Sequence, residues 1–217
     1  EFAAISQFIA ERIVRHYGRA SRVIYPPVDT DYFHPGGIVP PRDYYLAASR
    51  WVPYKRIDAI VAAFAQMPAR RLIVAGDGPD TARIRAAARA NVEFVGEVSR
   101  ERLRELLRNA RAFVFAAEED FGILPLEAQA CGTPVIAYAR GGALETLADD
   151  GDWPVAAFFA IQAPEAIADA VRAFEARAPI DAARCVANAQ RYCAPRFRRE
   201  FSDFVGGRGI TPALTAP

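Results

Sequence analysis

Residues that commonly build metal or redox sites are scarce in this chain of 217 residues, which has two histidines and three cysteines. The cysteines, Cys131, Cys185 and Cys193, are odd in number and lack metal-ligand spacing. This argues against a disulfide framework or a zinc site and favours reduced thiols in a cytoplasmic protein. His16 and His34 stand alone in the sequence, so a surface or capping role suits them better than catalysis.

The chain also has little net charge and no long apolar run. Its formal charge at pH 7 is +1, which gives no electrostatic argument for nucleic acid as a partner. No apolar run reaches the roughly 18 residues of a membrane span, and the N-terminus has no signal-peptide pattern. A basic cluster at residues 196–199 is read as a solvated helix face, with anionic lipid as the alternative. We expect a cytoplasmic protein, with a peripheral position at the inner membrane surface as the other option.

Short apolar runs alternate with helical patterns from Tyr44 onward, which predicts an α/β fold with a doubly wound parallel sheet and C-terminal helices. The predicted strands are 44–48, 71–75, 92–95, 112–117, 134–139 and 156–160. The predicted helices are 57–66, 81–90, 100–110, 123–130, 143–148, 164–178 and, interrupted near Pro195, 180–205. In such folds, ligands bind where strands end and helices begin.

The chain divides into three predicted parts. Residues 1–25 form an interdomain helix, capped by Ser6 and ended by Gly18, and a short strand at 23–25. Residues 26–205 form one ligand-binding domain, and residues 206–217 form a disordered tail. The sequence has no initiator Met and opens inside a strand-to-helix passage, so we expect a piece of a longer protein.

Two carboxylates bracket a turn at Phe121-Gly122. Glu119 follows an apolar strand, and Glu127 lies inside the next predicted helix. The first turn of that helix leaves the N–H groups of Ile123 and Leu124 free, which suits an anion. Two acids beside such a turn suit the hydroxyls of a sugar or ribose, so the segment predicts a sugar-nucleotide site. In the alternative interpretation, Glu119 caps the helix and Glu127 is a solvated acid.

Two further strand ends carry candidate ligand groups. Arg50 and Lys55 follow the strand at 44–48 and suit the oxygens of a diphosphate. On this loop alone, an exposed basic surface explains them equally well. The strand at 71–75 runs into Gly76-Asp77-Gly78, where glycines allow close approach of a ligand. Asp77 alternatively only shapes the turn.

These stretches together resemble the C-terminal, donor-binding domain of a retaining family 4 glycosyltransferase with the GT-B fold, and more closely the WbaZ-like mannosyltransferase group. The resemblance covers about residues 5–147 and rests on segments that include 6–10, 25–30, 49–56, 76–79, 95–99, 119–127 and 131–146. It implies a two-domain enzyme that transfers a hexose with retention of anomeric configuration, without a metal or prosthetic group. The implied donor is GDP-mannose, with a UDP-sugar as the alternative.

The resemblance also implies residue roles. It implies that Arg50 and Lys55 contact the donor diphosphate, that Glu127 contacts the ribose and that Glu119 contacts the donor sugar. It also implies that the backbone near Val98 contacts the base and that the backbone at 123–124 contacts the sugar or a phosphate. The implied partners are a glycan or lipid-linked acceptor and an N-terminal acceptor domain of the same enzyme. Without that domain, the isolated chain is expected to be inactive.

Other readings stay open at this point. They are one half of a sugar-nucleotide epimerase, a non-catalytic nucleotide-sugar-binding module, and a dinucleotide oxidoreductase, although the third glycine of a dinucleotide fingerprint is missing. Asp29-Thr30-Asp31 matches an Asp-x-Asp metal motif, but its position after Pro26-Pro27 favours a turn. Residues 151–159 depart from the family pattern.

Overall fold

The computed structural model describes residues 1–37, 42–147, 155–177 and 179–207. The strands are β1 Ala3–Ala4, β2 Arg22–Val23, β3 Tyr44–Ala48, β4 Arg71–Ala75, β5 Val92–Gly96, β6 Ala110–Phe115, β7 Val135–Tyr138 and β8 Ala156–Phe159. The helices are α1 Gln7–Tyr17, α2 Ile57–Ala65, α3 Thr81–Ala86, α4 Arg100–Asn109, α5 Ile123–Ala130, α6 Ala143–Thr146, α7 Pro164–Ala176, α8 Ala182–Gln190 and α9 Ala194–Val205.

Six strands form one parallel sheet in the order β5-β4-β3-β6-β7-β8. The predicted doubly wound α/β fold is therefore confirmed. All five residues of β3 are buried, because helices cover both faces of the sheet at its centre. From β3 the chain adds β4 and β5 toward one edge of the sheet, and it then adds β6, β7 and β8 toward the other edge. The switch point lies between β3 and β6, and in open α/β sheets ligands bind at this point.

The core lies on both faces of the sheet. Leu46 and Phe113 are fully buried on one face, where α5 also packs. Tyr45 and Val114 lie on the other face against α2 and α7. Leu46 of β3 pairs with Phe113 of β6, and Tyr45 pairs with Ala112. Because side chains of a strand alternate between faces, this register places one pair on each face of the sheet.

Several element bounds match the sequence patterns, and others differ for physical reasons. Strands β3 and β4 and helix α5 have the predicted bounds. The strand predicted at 112–117 ends at Phe115, its last residue paired with β7. The region 180–205 contains two helices, α8 and α9, and Pro195 lies in the first turn of the second. Residues 151–154 and 208–217 of the predicted irregular segments lie outside the described residues.

The N-terminal segment is fastened to the larger domain by side chains. Ser6 caps α1 as predicted, with its Oγ accepting from the Ile9 N–H at 3.1 Å. The carboxylate of Glu145 in α6 accepts from the backbone of Gln7 at 2.9 Å and Phe8 at 3.2 Å. The same carboxylate accepts from the Tyr25 hydroxyl at 3.0 Å. An acid from a distant helix thus holds free N–H groups at the start of α1.

Among the described residues, none of the helices has both the length and the apolar character needed to cross a bilayer.

Candidate functional site

The two cations predicted to bind a ligand in the loop after β3, Arg50 and Lys55, differ in whether they have an ion-pair partner. Trp51 is fully buried, and its backbone N–H donates to the Asp77 carbonyl at 2.8 Å, which anchors the loop. A tight helical turn, Pro53–Lys55, then directs Lys55 back toward Glu119, with which it forms an ion pair. Arg50 is exposed, and its guanidinium forms no ion pair within the described ranges. Arg50 is the cation of this loop that is available to a ligand.

The Lys55–Glu119 pair is partly shielded from water. The two side chains are 18% and 20% exposed. Burial lowers the pKa of the Lys55 amine, because desolvation disfavours its charged form. Any anion that recruits Lys55 must compete with Glu119.

The Gly76-Asp77-Gly78 turn lies directly against the β3 loop. A Cβ on Gly76 would be 1.9 Å from the Ser49 carbonyl oxygen, and one on Gly78 would be 2.4 Å from that of Trp51. The protein backbone itself therefore requires both glycines. Asp77 Oδ1 accepts from the Gly78 N–H at 2.7 Å and the Thr81 hydroxyl at 2.5 Å, which lowers the pKa of this carboxyl. These contacts give Asp77 a turn-shaping role.

Helix α5 begins at the carboxyl edge of the sheet. Phe121 is buried, and Gly122 adopts φ +87°, a left-handed conformation that favours glycine. No side chain caps the helix at Gly122. The N–H groups of Ile123 and Leu124 precede the first helical hydrogen bond, so this helix end offers donors to an anion.

Two glycines after β7, which the site prediction did not include, support this turn. The Gly142 N–H donates to the Glu119 carbonyl at 2.8 Å. A Cβ on Gly141 would be 2.4 Å from the Glu119 carbonyl oxygen, and one on Gly142 would be 2.6 Å from Phe121 Cα. The sequence signal for this support is the Gly-Gly pair that follows the predicted strand 134–139 after one residue, Arg140.

Glu127 lies one helical turn further along α5 and is partly buried. Burial raises the pKa of its carboxyl to about 7, with Arg100 opposing and Asp29 adding to the shift. Asp29 itself pairs with Arg100 at 2.5 Å and accepts from the Tyr32 N–H at 3.2 Å. These contacts give Asp29 of the Asp-x-Asp motif a turn role.

Two adjoining cavities occupy the switch point. The first, of about 720 Å³, is lined by Ala48, Ser49, Arg50, Ala75, Gly76, Asp77, Gly78, Glu97, Val98, Leu103 and Leu124. The second, of about 710 Å³, is lined by Ile5, Pro26, Ala48, Ser49, Arg50, Tyr54, Lys55, Phe115, Glu118, Glu119, Asp120, Phe121, Gly122, Ile123 and Leu124. Four residues line both cavities: Ala48, Ser49, Arg50 and Leu124. Of the predicted site residues, all except Glu127 line one of these cavities.

Residues 29–192 match the family model described as glycosyl transferases group 1. The chain belongs to this family. That match covers the switch point and both cavities, apart from Ile5 and Pro26.

Relatives of this glycosyl transferase chain include D-inositol 3-phosphate glycosyltransferases. The protein from Mycolicibacterium paratuberculosis is 36% identical over 140 residues, covering 55% of this chain and 32% of the relative. D-inositol 3-phosphate glycosyltransferase 2 from Catenulispora acidiphila is 34% identical over 203 residues, covering 74% of this chain and 47% of the relative. The chain thus spans less than half the length of these relatives.

Solved structures share the fold of this glycosyl transferase chain. HepE from Anabaena in complex with UDP and glucose has a TM-score of 0.78 at 18% identity, over 94% of this chain and 62% of that one. Sucrose-phosphate synthase from Thermosynechococcus elongatus has a TM-score of 0.80 at 23% identity, over 94% of this chain and 57% of that one. These matches confirm the Rossmann-like half of a GT-B fold.

Proposed function

We propose that this chain is the donor-binding half of a retaining, metal-independent hexosyltransferase that uses a nucleotide-diphosphate sugar. The observation that carries the proposal is the convergence of Arg50, Lys55, Glu119 and the start of α5 on two adjoining cavities at the switch point. Family membership and the complexes of HepE with UDP and with UDP-glucose support it. The alternative is a nucleotide-sugar-binding module without catalysis, or one half of an epimerase.

We assign the parts of the donor by the charge of the residues that line each cavity. The diphosphate lies at the boundary of the cavities, where Arg50 and the N–H groups of Ile123 and Leu124 meet it. The transferred sugar lies in the second cavity, where Glu119 accepts from its hydroxyls. When Glu119 turns to the sugar, Lys55 is released to the phosphate. Lys55 and Arg50 then stabilise the negative charge that develops on the departing diphosphate.

Glu127 is assigned to the ribose, following the resemblance. Its carboxylate accepts hydrogen bonds from the ribose diol, and a donor bound there has to reach beyond the two cavities toward α5. The role of Val98 is a backbone contact to the base in the first cavity.

We also propose the identity of the donor and of the acceptor, which the similarity to the relatives does not define. The sequence resemblance favours GDP-mannose, whereas the HepE complex contains UDP-glucose. The acceptor is proposed to be a glycan or a lipid-linked oligosaccharide, as part of polysaccharide assembly, held by an N-terminal domain of the full enzyme. We place the enzyme in the cytoplasm, with a peripheral position at the inner membrane surface as the alternative.

Titration calorimetry with GDP, GDP-mannose, UDP, UDP-glucose and NAD tests the donor-site assignment. We expect a nucleoside diphosphate and its sugar to bind, and Arg50→Ala to weaken both by at least about tenfold, since it removes a charge-assisted contact. The matched control is Arg89→Ala, an exposed arginine outside both cavities. Binding of NAD alone would refute the proposal.

The inactivity of the isolated chain is tested separately. We expect the purified 217-residue chain to bind the donor without transferring sugar, because it spans less than half of its glycosyltransferase relatives. Sugar transfer by this chain to any glycan or lipid acceptor, followed with radiolabelled donor, would contradict this prediction.

A further inference from the structure

One carboxylate that lines the first cavity has no partner among the described residues and no role in the donor contacts described so far. That cavity contains three charged side chains, Arg50, Asp77 and Glu97. Arg50 faces the phosphates, and Asp77 Oδ1 is occupied by the Gly78 N–H and the Thr81 hydroxyl. Within the described ranges, Glu97 forms no hydrogen bond or ion pair. Its carboxylate is thus available to a ligand.

Glu97 is held between two rigid elements. Gly96, directly before it, adopts φ +70° at the end of β5, and its carbonyl accepts from the Gly76 N–H at 2.7 Å. Ser99, two residues later, caps α4 by accepting from the Arg102 N–H at 3.2 Å. The backbone at Glu97 and Val98 therefore has little freedom, although the carboxylate itself is exposed.

The surroundings of Glu97 suit a planar base. Val98, Leu103 and Leu124 line the same cavity and pack against the core of the sheet. Arg50 lines both cavities, whereas Glu119 lines only the second, so a donor with its diphosphate at Arg50 and its sugar at Glu119 places its nucleoside in the first cavity. A base in this cavity would contact these three apolar side chains next to the Glu97 carboxylate, which has no partner within the described ranges.

We propose that Glu97 selects the nucleobase and favours guanine over uracil. A carboxylate only accepts hydrogen bonds. Guanine presents its N1–H and its exocyclic amino group side by side, which matches the two carboxylate oxygens. Uracil presents one N–H flanked by two carbonyl oxygens, which a carboxylate repels, so the same group attracts one base and disfavours the other. This inference rests on the proposed donor-binding function.

Calorimetric titration of the purified 217-residue chain with GDP, UDP and IDP tests the inference. IDP differs from GDP only by lacking the exocyclic amino group. We expect GDP to bind about tenfold or more tightly than IDP, since one hydrogen bond to a charged acceptor is lost. In Glu97→Ala, this preference and the preference over UDP should both fall by about tenfold. Glu97→Gln should show an intermediate loss.

Glu93→Gln is the matched control, because Glu93 is an exposed glutamate of β5, the strand that Glu97 directly follows, and pairs with Arg71 outside the cavity. It should retain the full base preference. Equal binding of GDP and IDP, or a GDP preference that survives in Glu97→Ala, would overturn the role of Glu97 while leaving the proposed function intact. Absence of binding by all three nucleotides would overturn the proposed function together with this inference.

Discussion

Replacing Glu127 by glutamine should make the chain more stable at alkaline than at acidic pH, relative to the unsubstituted protein. Burial raises the pKa of this carboxyl from 4.5 to about 7. A group that binds its proton more tightly in the folded state destabilises the fold as pH rises. The cost is absent below pH 4.5, grows as the pH rises toward 7 and is complete above about 7.

The size of the effect follows from the shift. The rise of the Glu127 pKa from 4.5 to about 7 lowers the free energy of unfolding at pH 8 by about 3 kcal/mol. Arg100 and Asp29, the charged groups that act on Glu127, are included in this shift. Burial of the glutamine amide in the variant also costs free energy on folding, but this cost does not vary with pH because the amide does not titrate. The pH dependence of the difference between the two proteins therefore isolates the carboxyl.

Urea unfolding followed by circular dichroism between pH 4.5 and pH 8 measures this difference. The stability of Glu127→Gln minus that of the unsubstituted chain should rise by about 3 kcal/mol across the range. A difference that stays constant across this pH range would refute the reasoning.

Two other substitutions test how the site is held. Glu119→Gln releases Lys55 from its ion pair, so the free nucleoside diphosphate should bind severalfold more tightly while the sugar-bearing donor loses its relative advantage in calorimetry. Equal changes for both ligands would contradict competition between Glu119 and phosphate. Gly142→Ala places a Cβ 2.6 Å from Phe121 Cα, which should destabilise the fold by about 1–3 kcal/mol and weaken donor binding. Gly36→Ala, whose Cβ meets nothing closer than 3.7 Å, should change thermal stability little, and equal losses in both variants would argue against the steric explanation.

Local sequence patterns predicted the secondary structure well where apolar runs were short and bounded by turn residues. Strands β3 and β4 and helix α5 lie where the patterns place them, because their burial and their end residues are local properties. The observed boundaries differ from the predicted ones where they depend on strand pairing. The strand predicted to end at residue 117 ends at Phe115, the last residue of β6 that pairs with β7.

The site residues were predictable to the extent that parallel strands end at one edge of a sheet. That rule predicts from the sequence alone that Arg50, Lys55 and Glu119 lie close together. It did not reveal that Glu127 lies outside the two cavities. Its burial depends on packing around α5, which no spacing along the chain encodes.

The sequence by itself determined the alternation of strands and helices, the glycine turn before α5 and the set of charged residues at the strand ends. Only the tertiary structure decided which of those charges are free, since Lys55 is neutralised by Glu119 whereas Arg50 and Glu97 have no ion-pair partner among the described residues. It also decided that Gly142 supports the Glu119 turn through a hydrogen bond of 2.8 Å. The physical reason is that ion pairs and close backbone contacts join residues distant in sequence, so they depend on how the strands are ordered in the sheet.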